Sequence, residues 1–130
     1  MYFQASSQGN IEICKFIVKN LDNKNPGDDK GVTPLHLAAR CGKEDVCKFL
    51  MDNLVDKNPK ANNGITPLHW AAHYGHLSIC QLILRNCDEK NPKALGDTPF
   101  YFAARMGQVK ICKFFIENLS IEDITIRNSF

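Results

Sequence analysis

The stretch Gly31-Val32-Thr33-Pro34-Leu35-His36-Leu37-Ala38-Ala39-Arg40-Cys41-Gly42 returns as Gly64-Ile65-Thr66-Pro67-Leu68-His69-Trp70-Ala71-Ala72-His73-Tyr74-Gly75. It returns again as Gly96-Asp97-Thr98-Pro99-Phe100-Tyr101-Phe102-Ala103-Ala104-Arg105-Met106-Gly107. The threonines stand 33 and then 32 residues apart. A fixed period of this size is the sequence signature of a stacked-repeat architecture.

One period back from Gly42 lies Gly9, and Ile13-Cys14-Lys15-Phe16-Ile17 then matches Val46-Cys47-Lys48-Phe49-Leu50. A fourth copy is therefore present without its Thr-Pro. Asn25-Pro26, Asn58-Pro59 and Asn91-Pro92 recur in the same step. The copies divide a single domain of residues 1–130 into units of approximately 1–27, 28–60, 61–93 and 94–119, with 120–130 as a C-terminal extension. The array is expected to be cut at its front, as in a segment excised from a larger protein. Tyr2-Phe3-Gln4 reads either as a tag-cleavage remnant or, aligned with Pro99-Phe100-Tyr101, as a worn first helix; the alignment favours the helix.

Within one unit the local chemistry dictates two helices. Thr33 is a good N-cap, and Pro34 suits the first helical position, where a missing N–H costs nothing. Leu35, Ala38 and Ala39 make one apolar stripe whose alanines admit a close neighbour. Gly42 permits the turn that ends this helix. A second helix carries Val46, Phe49, Leu50 and Leu54, and is expected to end at Asn53 in a left-handed cap, as at Asn20, Asn86 and Asn118. Turn-rich Asn58-Pro59-Lys60-Ala61-Asn62-Asn63-Gly64 leads to the next Thr-Pro. One helix pair cannot bury its own apolar face, so the units must stack into an all-α solenoid.

The Gly-x-Thr-Pro-Leu-His-x-Ala-Ala-x-x-Gly pattern resembles the ankyrin repeat. The resemblance implies short β-hairpin loops at right angles to the helices, and a role for His36 and His69 in joining adjacent units. Tyr101 replaces that histidine in the last copy. The family's Gly-Ala-Asp after the second helix is replaced by Leu54-Val55-Asp56, Cys87-Asp88-Glu89 and Leu119-Ser120-Ile121, so the hairpin entry is expected to be shaped differently.

Composition excludes several functional classes. Sixteen basic against 14 acidic residues in 130 give a net charge of +2, with no block of like charge to track a phosphate backbone. No apolar run approaches the roughly 20 residues of a membrane-spanning helix. Nucleic acid and membrane are therefore not expected partners. No phosphate-cradling glycine loop, Gly-x-Ser-x-Gly or organised carboxylate pair supports catalysis. The chain reads as non-enzymatic, without a cofactor or metal, and as a monomer.

Cys14, Cys47, Cys80 and Cys112 share one repeat position. Packed helices lie roughly 8–10 Å apart, whereas a disulfide needs Cα atoms within about 7 Å, so this ladder cannot bridge. Its cysteines read as small buried hydrophobes, with Cys41 and Cys87 less determined. Free thiols imply a reducing compartment, the cytoplasm or alternatively the nucleus. The i, i+4 pairs His69/His73 and His76/Cys80 have zinc-like spacing, but His69 and His76 belong to the repeat pattern, and His73 reads as a surface residue. Trp70 could anchor a partner, although its equivalents Leu37 and Phe102 favour packing.

Positions that keep the motif build the scaffold, so binding should fall where copies vary. In the ankyrin family partners mostly meet the hairpin tips and the exposed face of the first helices. Carried onto this sequence, the tips are Asp29, Lys30, Val32, Asn62, Asn63, Ile65, Leu95 and Asp97. The helix column is Arg40 and Cys41, His73 and Tyr74, and Arg105 and Met106. Arg40, His73 and Arg105 would form a basic strip suited to a peptide or protein partner with acidic and apolar residues; the same column also reads as a plain solvated edge. The leading function is protein–protein interaction. A spacer in a longer array stands second, and a regulatory segment of a multidomain protein third. The resemblance further implies that Asn58, with Leu50 eight and Asp56 two residues upstream, is a substrate position for an asparaginyl hydroxylase.

Overall fold

The computed structural model describes residues 1–120. Among the described residues eight helices follow one another: α1 (Tyr2–Gln8), α2 (Ile11–Asn20), α3 (Pro34–Arg40), α4 (Glu44–Asn53), α5 (Pro67–His73), α6 (Leu77–Asn86), α7 (Pro99–Arg105) and α8 (Val109–Asn118). None is long and apolar enough to cross a membrane.

The odd-numbered helices are short because both their ends are specified. At α3, Thr33 Oγ1 accepts the His36 N–H at 3.3 Å and Pro34 begins the first turn. At the far end Gly42 sits at φ 73°, its N–H bonds to the Ala39 carbonyl at 3.3 Å, and the Lys43 N–H bonds to Ala38 at 2.9 Å. This paired closure satisfies carbonyls that a helix end otherwise leaves open.

The even-numbered helices end differently from the left-handed cap expected at the asparagines. The residues that follow them, Leu21, Leu54, Cys87 and Leu119, are extended. Each asparagine remains helical and turns its side chain back, donating to the carbonyl four residues earlier. These bonds are 2.7 Å for Asn20 to Phe16, Asn53 to Phe49 and Asn86 to Leu82, and 2.8 Å for Asn118 to Phe114. A lysine completes the first three ends: Lys24 Nζ donates to the Val18 carbonyl at 2.8 Å, Lys57 to Met51, and Lys90 to Leu84. A cation at a helix C-terminus meets the negative end of its dipole. The Asn and Lys thus flank the three-residue exits Leu54-Val55-Asp56 and Cys87-Asp88-Glu89.

The first helices stack α1 on α3 on α5 on α7, and the second helices stack α2 on α4 on α6 on α8 behind them. Ala38, Ala39, Ala71, Ala72 and Ala103 are fully buried, where a larger side chain would hold the helices apart. Leu35, Leu50, Leu68 and Ile83 are also fully buried, each contributing about 1.5–3 kcal/mol. The residues Tyr2-Phe3-Gln4 lie in α1, and the buried Tyr2 donates its hydroxyl to the Lys24 carbonyl at 2.7 Å. That agrees with reading them as a worn first helix.

Cys14, Cys47 and Cys80 are buried free thiols, Cys112 and Cys87 are half-buried, and Cys41 is exposed. The loops are hairpins reduced to their tips, with no named strand among the described residues. Asp28 N–H bonds to Val32 O at 2.9 Å, Ala61 N–H to Ile65 O at 2.8 Å, and Ala94 and Asp97 exchange two bonds of 2.8 and 3.0 Å. Neighbouring tips bond in turn, with the Asn62 N–H reaching Lys30 O at 2.9 Å and its side chain reaching Asp29 O at 3.1 Å. Only Ser120 of the expected extension over 120–130 falls within the described residues.

Candidate binding groove

The groove is held in register by two sets of contacts between units. His36 Nδ1 accepts the Thr33 N–H at 3.1 Å, which leaves Nε2–H to donate to Ile65 O of the next loop at 2.8 Å. His69 repeats this with Thr66 at 3.1 Å and Asp97 O at 3.1 Å. Burial holds both imidazoles below their ordinary pKa, His69 at about 4, because neither site solvates a second proton. At the opposite end of the first helices, His76 Nε2 donates to Arg40 O at 2.9 Å and Gln108 Nε2 to His73 O at 3.1 Å. The ring nitrogens of His69 are thus engaged within the scaffold, as is Nε2 of His76.

Between the first two hairpin tips and helices α3 and α5 lies an open cleft of about 560 Å³. Of the expected contact residues, Lys30, Val32, Arg40, Asn62 and Asn63 line it together. Leu37 and Trp70 also line it, with Asp28 and Ala61. The Arg40 guanidinium lies 5.3 Å from the centroid of the half-buried Trp70 ring, whose edge meets His36. Trp70 therefore both packs and faces the cleft. The two readings of Trp70 offered by the sequence, packing like its equivalents Leu37 and Phe102 or facing a partner, are thus compatible in the geometry.

The remaining expected residues lie around this cleft or further along the stack. Asp29 is exposed and gives its carbonyl to Asn62. Ile65 is half-buried and gives its carbonyl to His36. Cys41, Tyr74 and Met106 are exposed at the ends of the first helices. Leu95 projects from the third tip, 75% exposed.

The expected basic strip is not uniform. Arg105 stacks 5.1 Å from the centroid of Phe102 in its own unit and pairs with Asp97 at 3.2 Å, so its charge is already compensated. His73 is half-buried rather than freely exposed, with its ring edge-on to Tyr74 at 4.6 Å and to Phe102 at 6.1 Å. Arg105 differs from Arg40 because the position directly before its Thr-Pro is Asp97, whereas the equivalents are Val32 and Ile65.

Asn58 lies half-buried in the loop after α4 with its Oδ1 buried and unbonded, and its N–H bonds to Asp56 Oδ1 at 3.2 Å. Leu50, upstream of it, is fully buried. Among the described residues no group of His, Cys, Asp and Glu gathers as a metal centre.

The profile of the family described as "Ankyrin repeats (3 copies)" matches residues 2–61 and 53–128. A segment of 37 residues is 54% identical to Ankyrin repeat and SOCS box protein 3 of Bos taurus. That match covers 28% of this chain and 7% of the length of the bovine protein.

Proposed function

Because the chain belongs to the ankyrin-repeat family, whose members are generally protein-interaction modules, we propose that it binds a protein or peptide partner through the concave groove of hairpin tips and first helices. The observation that carries this reading is the open cleft at the second and third units, lined by Lys30, Arg40, Asn63 and Trp70, positions whose equivalents vary between copies. Exposed Tyr74, Met106 and Leu95 extend the same surface along the stack.

In this reading residues 1–130 work as one non-catalytic domain, a monomer in solution, in the reducing environment of the cytoplasm or nucleus. The test compares a pull-down by the parent chain with one by the Arg40→Ala, Tyr74→Ala, Arg105→Ala variant, with folding checked by circular dichroism. Exposed substitutions of this kind cost little stability. A partner held by the parent and lost by the folded variant supports the groove. Equal retention moves binding to another face, and no retained partner favours a spacer within a longer array.

Asn58 is, on the same family grounds, a position for asparaginyl hydroxylation. Its half-buried setting requires the loop to open first. Incubation with such a hydroxylase and its cofactors should add one oxygen atom to the intact mass, and an unchanged mass refutes it.

A further inference from the structure

The cleft at the second and third units has an uneven supply of hydrogen-bonding groups. Arg40 lies over Trp70 and has no ion pair among the described residues, in contrast to Arg105, which is neutralised by Asp97. Lys30 lines the same cleft, also without an ion pair among the described residues. The one acidic lining residue, Asp28, is turned to its own loop, with Oδ1 accepting the Lys30 N–H at 2.8 Å and the Val32 N–H at 2.9 Å. Asn63 commits its Oδ1 to the Ile65 N–H at 3.1 Å, which leaves its amide N–H groups as donors. Asn62 uses its amide nitrogen on Asp29 O. The cleft thus offers uncommitted donors on two cations and one amide, above a floor of Trp70, Leu37 and Val32.

A guanidinium held over an indole keeps its edge N–H groups free, and that edge matches the two oxygens of a carboxylate. The aromatic plane fixes the guanidinium before the ligand arrives, so less rotamer freedom is lost on binding. An extended chain advances about 3.3 Å per residue, while stacked units lie roughly 8–10 Å apart, so one unit corresponds to about three residues of peptide. The next unit offers exposed Tyr74 at its helix end and Leu95 at the following tip.

We propose that this cleft is a subsite for an Asp or Glu side chain of an extended peptide. Arg40 and Lys30 hold the carboxylate over Trp70, and an apolar side chain about three residues away rests against Tyr74. The proposal rests on the groove reading and adds the chemistry of the ligand to it. Charge complementarity selects the occupant: the two cations Lys30 and Arg40 against the single carboxylate of Asp28 leave the lining net positive, which favours an anion, and its apolar floor favours one carried on a side chain with methylene groups.

Trp70 is the only tryptophan in the chain, so its emission reports occupancy of the cleft directly. A tryptophan-free random-peptide phage library is panned on the parent chain. Recovered peptides are then synthesised and titrated against the parent, Arg40→Gln, and Tyr74→Ala, following Trp70 emission. The expected result is enrichment of Asp or Glu with an apolar residue about three positions away. Arg40→Gln and the peptide's own Glu→Gln change should each weaken binding by about tenfold or more, and the two losses should not add, since both remove one contact.

Peptides weakened by Tyr74→Ala but lacking an acidic residue and indifferent to Arg40→Gln would overturn the carboxylate subsite and leave the groove standing. Peptides indifferent to both variants, or no recovered peptide, would overturn the groove reading with it. Tighter binding when Glu is replaced by phosphoserine would reassign the subsite to a phosphopeptide. A single-stranded oligonucleotide bound in an Arg40-dependent manner would reassign it to nucleic acid.

Discussion

The imidazole of His36 donates from Nε2 to the carbonyl of Ile65 at 2.8 Å, 29 residues away, so one side chain closes its own helix cap and fastens the following unit. Both partners are backbone groups in a buried site. Removing the ring would leave the Thr33 N–H and the Ile65 carbonyl without it, at about 1–3 kcal/mol for each group left unsatisfied. His36→Ala is therefore expected to lower stability by roughly 2–4 kcal/mol. The loss should also weaken coupling between the second and third units, seen as a shallower urea transition. A midpoint shift equivalent to less than about 1 kcal/mol would mean that the inter-unit bond is replaced by water at little cost.

The same two histidines set a dependence on pH. Their folded-state pKa values are lowered by burial, His69 to about 4, whereas in the unfolded chain they titrate near the ordinary 6.5. Between those values the unfolded state binds more protons, so the histidine contribution is complete above about 6.5 and is lost as the pH falls toward 4. Each fully titrating histidine adds a slope of up to about 1.4 kcal/mol per pH unit. Urea midpoints of the parent should fall from neutral to mildly acidic buffer, and His69→Ala should flatten that fall. A midpoint that holds steady across the window would contradict the neutral, doubly bonded imidazoles.

The architecture was legible because its determinants are local and repeated. Thr33, Pro34 and Gly42 specify a helix start and stop within one turn each, and the period of 33 and 32 residues announces the stack. The ends of the second helices were misread because asparagine supports two closures: a left-handed backbone, or an extended exit with the side chain folded back, and sequence alone does not choose. The lysine of Lys24-Asn25-Pro26, Lys57-Asn58-Pro59 and Lys90-Asn91-Pro92 adds a second closure at three of the four ends, and α8 closes in the same way without it. Its recurrence was visible, but its reach back to the carbonyls of Val18, Met51 and Leu84 was not. Within the groove, Arg40 and Arg105 look equivalent in sequence. They differ because Asp97 pairs with one of them where the matching positions hold Val32 and Ile65; the alignment shows that replacement but not the ion pair it makes.

The six thiols should separate by reactivity. Burial pushes Cys47 and Cys80 up to about 12 and also raises Cys14, Cys87 and Cys112, with Asp56 adding to the rise at Cys87. The thiolate is the reacting species, so raised pKa and poor access act in the same direction. In native buffer iodoacetamide should modify exposed Cys41 first, Cys87 and Cys112 more slowly, and Cys14, Cys47 and Cys80 only through unfolding. Mass spectrometry of peptides over time reads the order directly. Modification of Cys47 or Cys80 at the rate of Cys41 would contradict their place as buried hydrophobes.

Leu95 is the single non-glycine residue with positive φ among the described residues, at 53°, followed by Gly96 at 86°. Two successive left-handed residues between Ala94 and Asp97 form the tight turn that suits a two-residue hairpin, where Asn-Gly is the favoured pair. A leucine there crowds its Cβ against the backbone and, being 75% exposed, recovers little by burial. Leu95→Asn should relieve the strain and stabilise the chain by about 1 kcal/mol, raising the thermal midpoint by a few degrees. If the tip serves the groove, the same substitution should weaken peptide binding while the fold gains stability. That opposition separates a residue kept for contact from one tolerated by the scaffold. A stabilised variant that binds unchanged would remove Leu95 from the binding surface, and an unchanged or lowered midpoint would refute the strain at the turn.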